Sequence, residues 1–150
     1  MAPVSSHTPT LRDRADDPRP SHRDRARQEL AGKLGVHPGA RVALIGVTDP
    51  EVVDAMGYAR ADVVTAEPGA HADIALFEIT GLRDLWLVPH AAETIRNDGS
   101  LWVMWPKARI DLRLEDVRTT GFQAGLADVK TASVSGALAG LRFVRRSSAW

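Results

Sequence analysis

Arg41-Val42-Ala43-Leu44-Ile45-Gly46-Val47-Thr48-Asp49-Pro50 reads as a buried strand running straight into the start of a helix. Its apolar residues are continuous and do not alternate, as in a strand covered on both faces within a parallel sheet. Asp49 is of a type that caps a helix, and Pro50 suits the first helical position, where no N–H is needed. The turn residues followed by Val52, Val53 and Met56 predict a short helix with those three side chains facing inward.

The same alternation extends on both sides. Upstream, Ser21 with Asp24 resembles a capping box, and Ala26, Leu30 and Leu34 follow at helical spacing before Gly35. His37-Pro38-Gly39 then turns the chain into the first strand. Downstream, Asp62–Thr65 is a second short strand, and Asp73–Ile79 a third after the Pro68-Gly69 break. Leu82, Leu85, Trp86, Val88, Ala92 and Ile95 predict a helix interrupted near Pro89 and stopped by Asn97-Asp98-Gly99. Leu101–Trp105 is a fourth strand. A helix over about 113–120 carries Leu114 and Val117 inward and ends at Gly121. Two closing strands, about Leu126–Val134 and Leu141–Val144, join through Ser135-Gly136 as an antiparallel pair.

Strands alternating with helices predict an α/β fold: a mostly parallel, Rossmann-like sheet of about six strands with the last strand antiparallel. Right-handed crossovers predict the spatial order 2-1-3-4-6-5. No internal repeat is present.

Composition bounds the function. At 150 residues, one domain with a real core is expected. Residues 1–20 hold four prolines and only Val4 and Leu11 as large aliphatics, so a disordered tail is expected there and the domain over residues 21–150. Nineteen basic and nineteen acidic side chains cancel, which leaves no electrostatic argument for nucleic acid or an anionic membrane as partner. There is no cysteine, so disulfides, thiolate catalysis and Cys-ligated zinc are excluded. No apolar signal core and no stretch of about 20 apolar residues is found, and a cytoplasmic protein is expected. The histidines at 7, 22, 37, 71 and 90 have no metal-ligand spacing, and no metal is expected.

Leu34-Gly35-Val36-His37-Pro38-Gly39-Ala40-Arg41-Val42-Ala43-Leu44 resembles the entry to the first strand of class I methyltransferases, and Asn97–Val103 resembles the segment before their fifth. More specifically, Leu101-Trp102-Val103-Met104-Trp105-Pro106-Lys107, then Gly125–Lys130 with its Asp-x-Lys, then Gly140–Val144 resemble a small bacterial domain family of unknown function. Its members look like trimmed methyltransferases, and the similarity spans about residues 30–146. The resemblance implies a methyltransferase-type strand order and no general activity. That family continues with an acidic pair and a Trp, where this chain reads Ser133-Val134-Ser135-Gly136-Ala137-Leu138-Ala139.

A methyltransferase needs glycines after its first strand, so that backbone N–H groups can approach S-adenosylmethionine without Cβ clashes. Gly46-Val47-Thr48-Asp49-Pro50 is not that loop, although Glu67 stands near the place of a ribose-binding acid. No cofactor is therefore expected. A ligand in such a sheet lies beyond the carboxyl ends of the strands. That crevice is expected to be lined by Thr48, Asp49, Glu78, Thr80, Trp105 and Lys107.

Glu78 stands out because it interrupts an apolar strand. It is either a general acid or base, or a strand-end carboxylate that is hydrated or paired to a lysine. Lys107 either binds a carboxylate or phosphate, or is solvated. Asp128 and Lys130, two apart on a strand, are expected to share a face as an ion pair or part of a site. Trp86, Trp102 and Trp105 are expected in the core, and Trp150 at the surface or an interface.

Three functions follow as expectations: a small-ligand-binding or regulatory protein that does not use S-adenosylmethionine; a cofactor-independent acid/base enzyme (cyclase, isomerase or lyase type) using Glu78 and Lys107; or a partner-binding subunit. A small-molecule partner and a homo-oligomer are compatible with all three.

Overall fold

The computed structural model describes residues 21–109 and 111–146. The tail expected over residues 1–20 and the position of Trp150 lie outside them. In chain order the elements are α1 (His22–Leu34), β1 (Arg41–Ile45), α2 (Pro50–Tyr58), β2 (Asp62–Val64) and β3 (Ala72–Glu78). A 3-10 helix (Leu82–Leu87) then leads into α3 (Val88–Ala92), β4 (Ile95–Pro106), α4 (Leu114–Gln123), β5 (Leu126–Ser133) and β6 (Leu138–Arg145).

The six strands form one sheet in the order β2-β1-β3-β4-β6-β5, as the crossover rule predicts. β2, β1, β3 and β4 are mutually parallel, and β6 runs antiparallel to both β4 and β5. The carboxyl ends of β1, β3 and β4 therefore lie along one edge.

Each face of the sheet buries its own core. On one side Val42, Ile74, Leu76, Trp102 and Met104 pack under α1 and α2, which contribute Leu30, Leu34, Val52, Ala55 and Met56. On the other, Phe77, Leu101, Val103, Trp105, Leu141 and Phe143 pack under α3 and α4. Alternate residues of β4 thus serve opposite layers, which is why its sequence shows no polar face. Trp102 is fully buried, and its indole N–H donates to the Leu34 carbonyl at 3.1 Å. That bond satisfies one of the carbonyls orphaned at the end of α1.

The caps read from sequence hold at both ends of α1. Ser21 Oγ accepts from the Asp24 N–H at 3.0 Å, and Gly35 takes the left-handed conformation with φ of 83°. Several local expectations are corrected. The helix expected to run from Leu82 to Ile95 is a 3-10 helix followed by a single α-helical turn or so, because Pro89 cannot continue an i→i−4 ladder behind it. Trp86 sits on the outer side of that 3-10 helix, 67% exposed, edge-on to the His90 ring, instead of in the core. β4 begins at Ile95, so Asn97-Asp98-Gly99 belongs to the strand, and Ile95 pairs with Ala72. Val53 faces solvent, and Ala55 takes the inward place beside Val52.

Gly121 does not end a helix. It lies inside α4, where a side chain would overlap the buried Phe143 ring. Asp128 and Lys130 do not share a face. The register of β5 against β6 shifts between them, so Asp128 stands opposite Phe143 and Lys130 opposite Arg142. One extra residue in a strand reverses the two-residue period. Asp128 consequently turns to the α4 side and pairs with Arg118 at 2.9 Å.

Candidate functional site at the carboxyl edge of the sheet

β3 delivers Glu78 half-buried at its end, next to the turn that joins β1 to α2. Glu78 Oε1 accepts the backbone N–H of Thr48 at 2.9 Å and of Asp49 at 3.1 Å, and Oε2 accepts the Thr48 hydroxyl at 3.2 Å. Gly46 makes the approach possible. Its φ is 64°, and a Cβ there would lie 3.3 Å from the Glu78 carbonyl oxygen.

Asp49 continues the pattern. It is 8% exposed, and its Oδ1 accepts the N–H groups of Glu51 at 2.8 Å and Val52 at 3.3 Å. Its Oδ2 accepts the Ser135 hydroxyl at 2.8 Å. Pro50 has no N–H. From Thr48 to Val52, therefore, each backbone donor of the turn and first helical residues is held by a carboxylate of the chain itself. Such a cluster of N–H groups at a helix N-terminus is otherwise an anion-binding place.

Ser135 ties this turn to the β5–β6 hairpin. Its Oγ also accepts the N–H of Leu138 at 3.2 Å, and Glu51 Oε2 accepts the Gly136 N–H at 3.2 Å. Lys107 reaches the same hairpin from the end of β4. Its Nζ donates to Ser133 Oγ at 2.6 Å and its backbone N–H to the Ala137 carbonyl at 2.9 Å. Lys33 of α1 donates to the Ser133 carbonyl at 2.6 Å.

The site residues read from sequence thus fall into distinct settings. Glu78, Thr48 and Asp49 are brought into direct contact, and Lys107 is joined to them only through the hairpin. Thr80 turns away: its N–H and hydroxyl both donate to Asp84 Oδ2, at 2.8 and 3.0 Å. The Thr80 backbone N–H holds the Asp84 carboxyl below its ordinary pKa, against the opposing effect of burial. Trp105 is 8% exposed and packs in the core under α3 and α4.

Two cavities open along this edge. One, of about 360 Å³, is polar and lined by Thr80, Leu82, Arg83, Asp84, Arg109 and Asp111. Arg109 is locked there in a two-pronged pair with Asp111, at 2.7 and 2.5 Å. The other, of about 190 Å³, is mostly apolar and lies between the ends of β1 and β2 and the α3 region, with Ile45, Glu67, Pro68, Leu87 and His90 in its wall. Among the described residues, no group of three or more His, Asp or Glu could hold a metal ion, and no helix is long and apolar enough to cross a membrane. Sequence reasoning missed Ser133, Ser135, Asp84 and Arg109. A serine in a turn gives no local sign of capping a carboxylate 86 positions away.

No family model and no curated protein matches this sequence. Solved structures share its fold, a methyltransferase-like Rossmann-type fold. The 1,6-didemethyltoxoflavin-N1-methyltransferase of Burkholderia thailandensis, solved with bound 1,6-didemethyltoxoflavin and S-adenosylhomocysteine, is similar at 15% identity and a TM-score of 0.52 over 96% of this chain and 85% of that one. A TehB-like methyltransferase from Corynebacterium glutamicum gives 12% identity and 0.50 over 97% and 99%. The [4+2]-cyclase SpnF gives 13% and 0.52 over 83% and 81%. Identities this low establish the fold alone.

Proposed function

We propose that this protein is a cytoplasmic small-ligand-binding or regulatory protein on a degenerate methyltransferase frame, and that it does not use S-adenosylmethionine. One observation carries the reading. The N–H groups of Thr48, Asp49, Glu51 and Val52 are occupied by the carboxylates of Glu78 and Asp49. A cofactor seated against this turn would have to displace Glu78 from three hydrogen bonds and meet its negative charge. The resemblance of the Trp-Pro-Lys and Asp-x-Lys segments to a bacterial domain family without a known general activity accords with this reading. The two cavities at the carboxyl edge supply the room for a small ligand.

A second reading, a cofactor-independent acid/base enzyme, draws support from the cyclase among the similar structures. In it Glu78 would act with Lys107. Both groups are engaged elsewhere, Glu78 with the turn and Lys107 with Ser133, so they would have to be released by substrate.

Calorimetric titration with S-adenosylmethionine tests the leading reading. No saturable heat is expected in the micromolar range. Tight stoichiometric binding would overturn it, and binding that appears only in Glu78→Ala would show that the carboxylate is what blocks the turn.

A further inference from the structure

A cleft of about 380 Å³ opens at the opposite, amino-terminal edge of β3 and β4, below the end of α1. Its wall holds His37, Asp73, Arg96, Asp98, Ser100 and Arg142. Within it, Arg96 is shared between Asp73 at 3.1 Å and Asp98 at 2.9 Å, so those charges largely answer one another. Arg142 is different. Three arginines have a buried Nε without a partner among the described residues, and Arg27 and Arg145 bond through their other nitrogens. The Arg142 side chain makes no hydrogen bond or ion pair with any described residue.

The surroundings sharpen the point. Lys130 stands directly opposite Arg142 across the β5–β6 pair, so one face carries two adjacent cations, an unfavourable pairing when nothing neutralises it. Ser100, 4% exposed, lines the same cleft, so its hydroxyl is a second donor at hand there. Ser100 pairs with Val144 and Trp102 with Arg142, which makes Ser100 and Arg142 diagonal neighbours on one face, about 7–8 Å apart. A buried donor left unmatched, as the Arg142 Nε–H is, is costly and rare. A guanidinium fork and a hydroxyl converging on one cleft match the oxygens of a carboxylate or phosphate.

We propose that this cleft binds a small oxyanion-bearing ligand, with Arg142 as the anchoring cation and Ser100 as the second donor. The cleft is large enough for a small organic molecule and not only a bare ion. It lies at the other edge of the sheet from Glu78 and is independent of the function proposed above.

The test is a titration of the full chain with inorganic phosphate and, separately, with succinate, followed through the Nε–H resonance of Arg142 and the backbone amide of Ser100. Saturable shifts at both positions are expected for at least one probe, with a dissociation constant of about 1 mM or tighter. The probe that saturates first distinguishes phosphate from carboxylate chemistry. Arg142→Gln should weaken binding about tenfold or more. If that variant does not fold, Ser100→Ala should still weaken it several-fold, whereas Lys107→Gln should leave it unchanged. Failure of both probes to shift these resonances, or a Ser100 amide shift that saturates unchanged in Arg142→Gln, would overturn the site.

Discussion

Glu78 brings a charge to the half-buried end of an apolar strand, and its three hydrogen bonds from Thr48 and Asp49 decide what that charge does. Were it a desolvated liability, Glu78→Gln would be neutral or stabilising. Hydrogen bonds to an ionised acceptor are worth about 1.5–3 kcal/mol and neutral ones about 0.5–1.5 kcal/mol. The amide oxygen can still accept, but the charge assistance is lost. Glu78→Gln is therefore expected to destabilise the fold by about 1 kcal/mol in a denaturant titration. An unchanged or raised midpoint would show that the turn does not depend on the carboxylate. The unusual residue was legible from the strand's composition. That Thr48 and Asp49 line the same crevice was legible too; that their N–H groups bind the carboxylate was not, because they lie 30 and 29 positions earlier in a turn whose shape depends on Gly46.

Within α4, Gly121 sets helix propensity against packing. Ala would gain about 1 kcal/mol as a helix former. It would also drive a methyl group into the ring of Phe143, which is fully buried and pinned between α4 and the sheet. Overpacking of a filled core costs about 1–3 kcal/mol, so packing should win. Gly121→Ala is expected to lower stability by about 1 kcal/mol or more, measured by thermal or chemical unfolding. A gain would mean that β6 can retreat from α4. The helix itself was evident from Leu114 and Val117, but its end was misplaced. A glycine that admits a neighbouring ring looks the same in sequence as one that terminates a helix.

Across the whole molecule, the β1–α2 turn is fastened to the β5–β6 hairpin by Ser135 on Asp49 and Gly136 on Glu51, which joins the beginning of the sheet to its last strand pair. Residues 1–20 offer only Val4 and Leu11 as large aliphatics. Removing residues 1–20 is thus expected to move the thermal midpoint by less than about 2 °C. A drop of several degrees would show that this segment packs on the domain.

The strand order was determined by the sequence alone. Apolar runs without alternation, such as Val42–Ile45 and Ile74–Phe77, require cover on both faces, and right-handed crossovers between them leave little topological choice. What tertiary structure decided is the fate of single polar residues. Asp128 and Lys130 are two positions apart, yet a bulge sends them to opposite faces. Glu78 and Lys107 both end strands, yet one is bound by the β1–α2 turn and the other by Ser133. Arg142 was indistinguishable from any surface arginine until its register placed it beside Ser100 without a counter-ion. Hydrophobic periodicity is a local property averaged over many residues. A hydrogen bond depends on one partner at one distance, and only the folded chain supplies it.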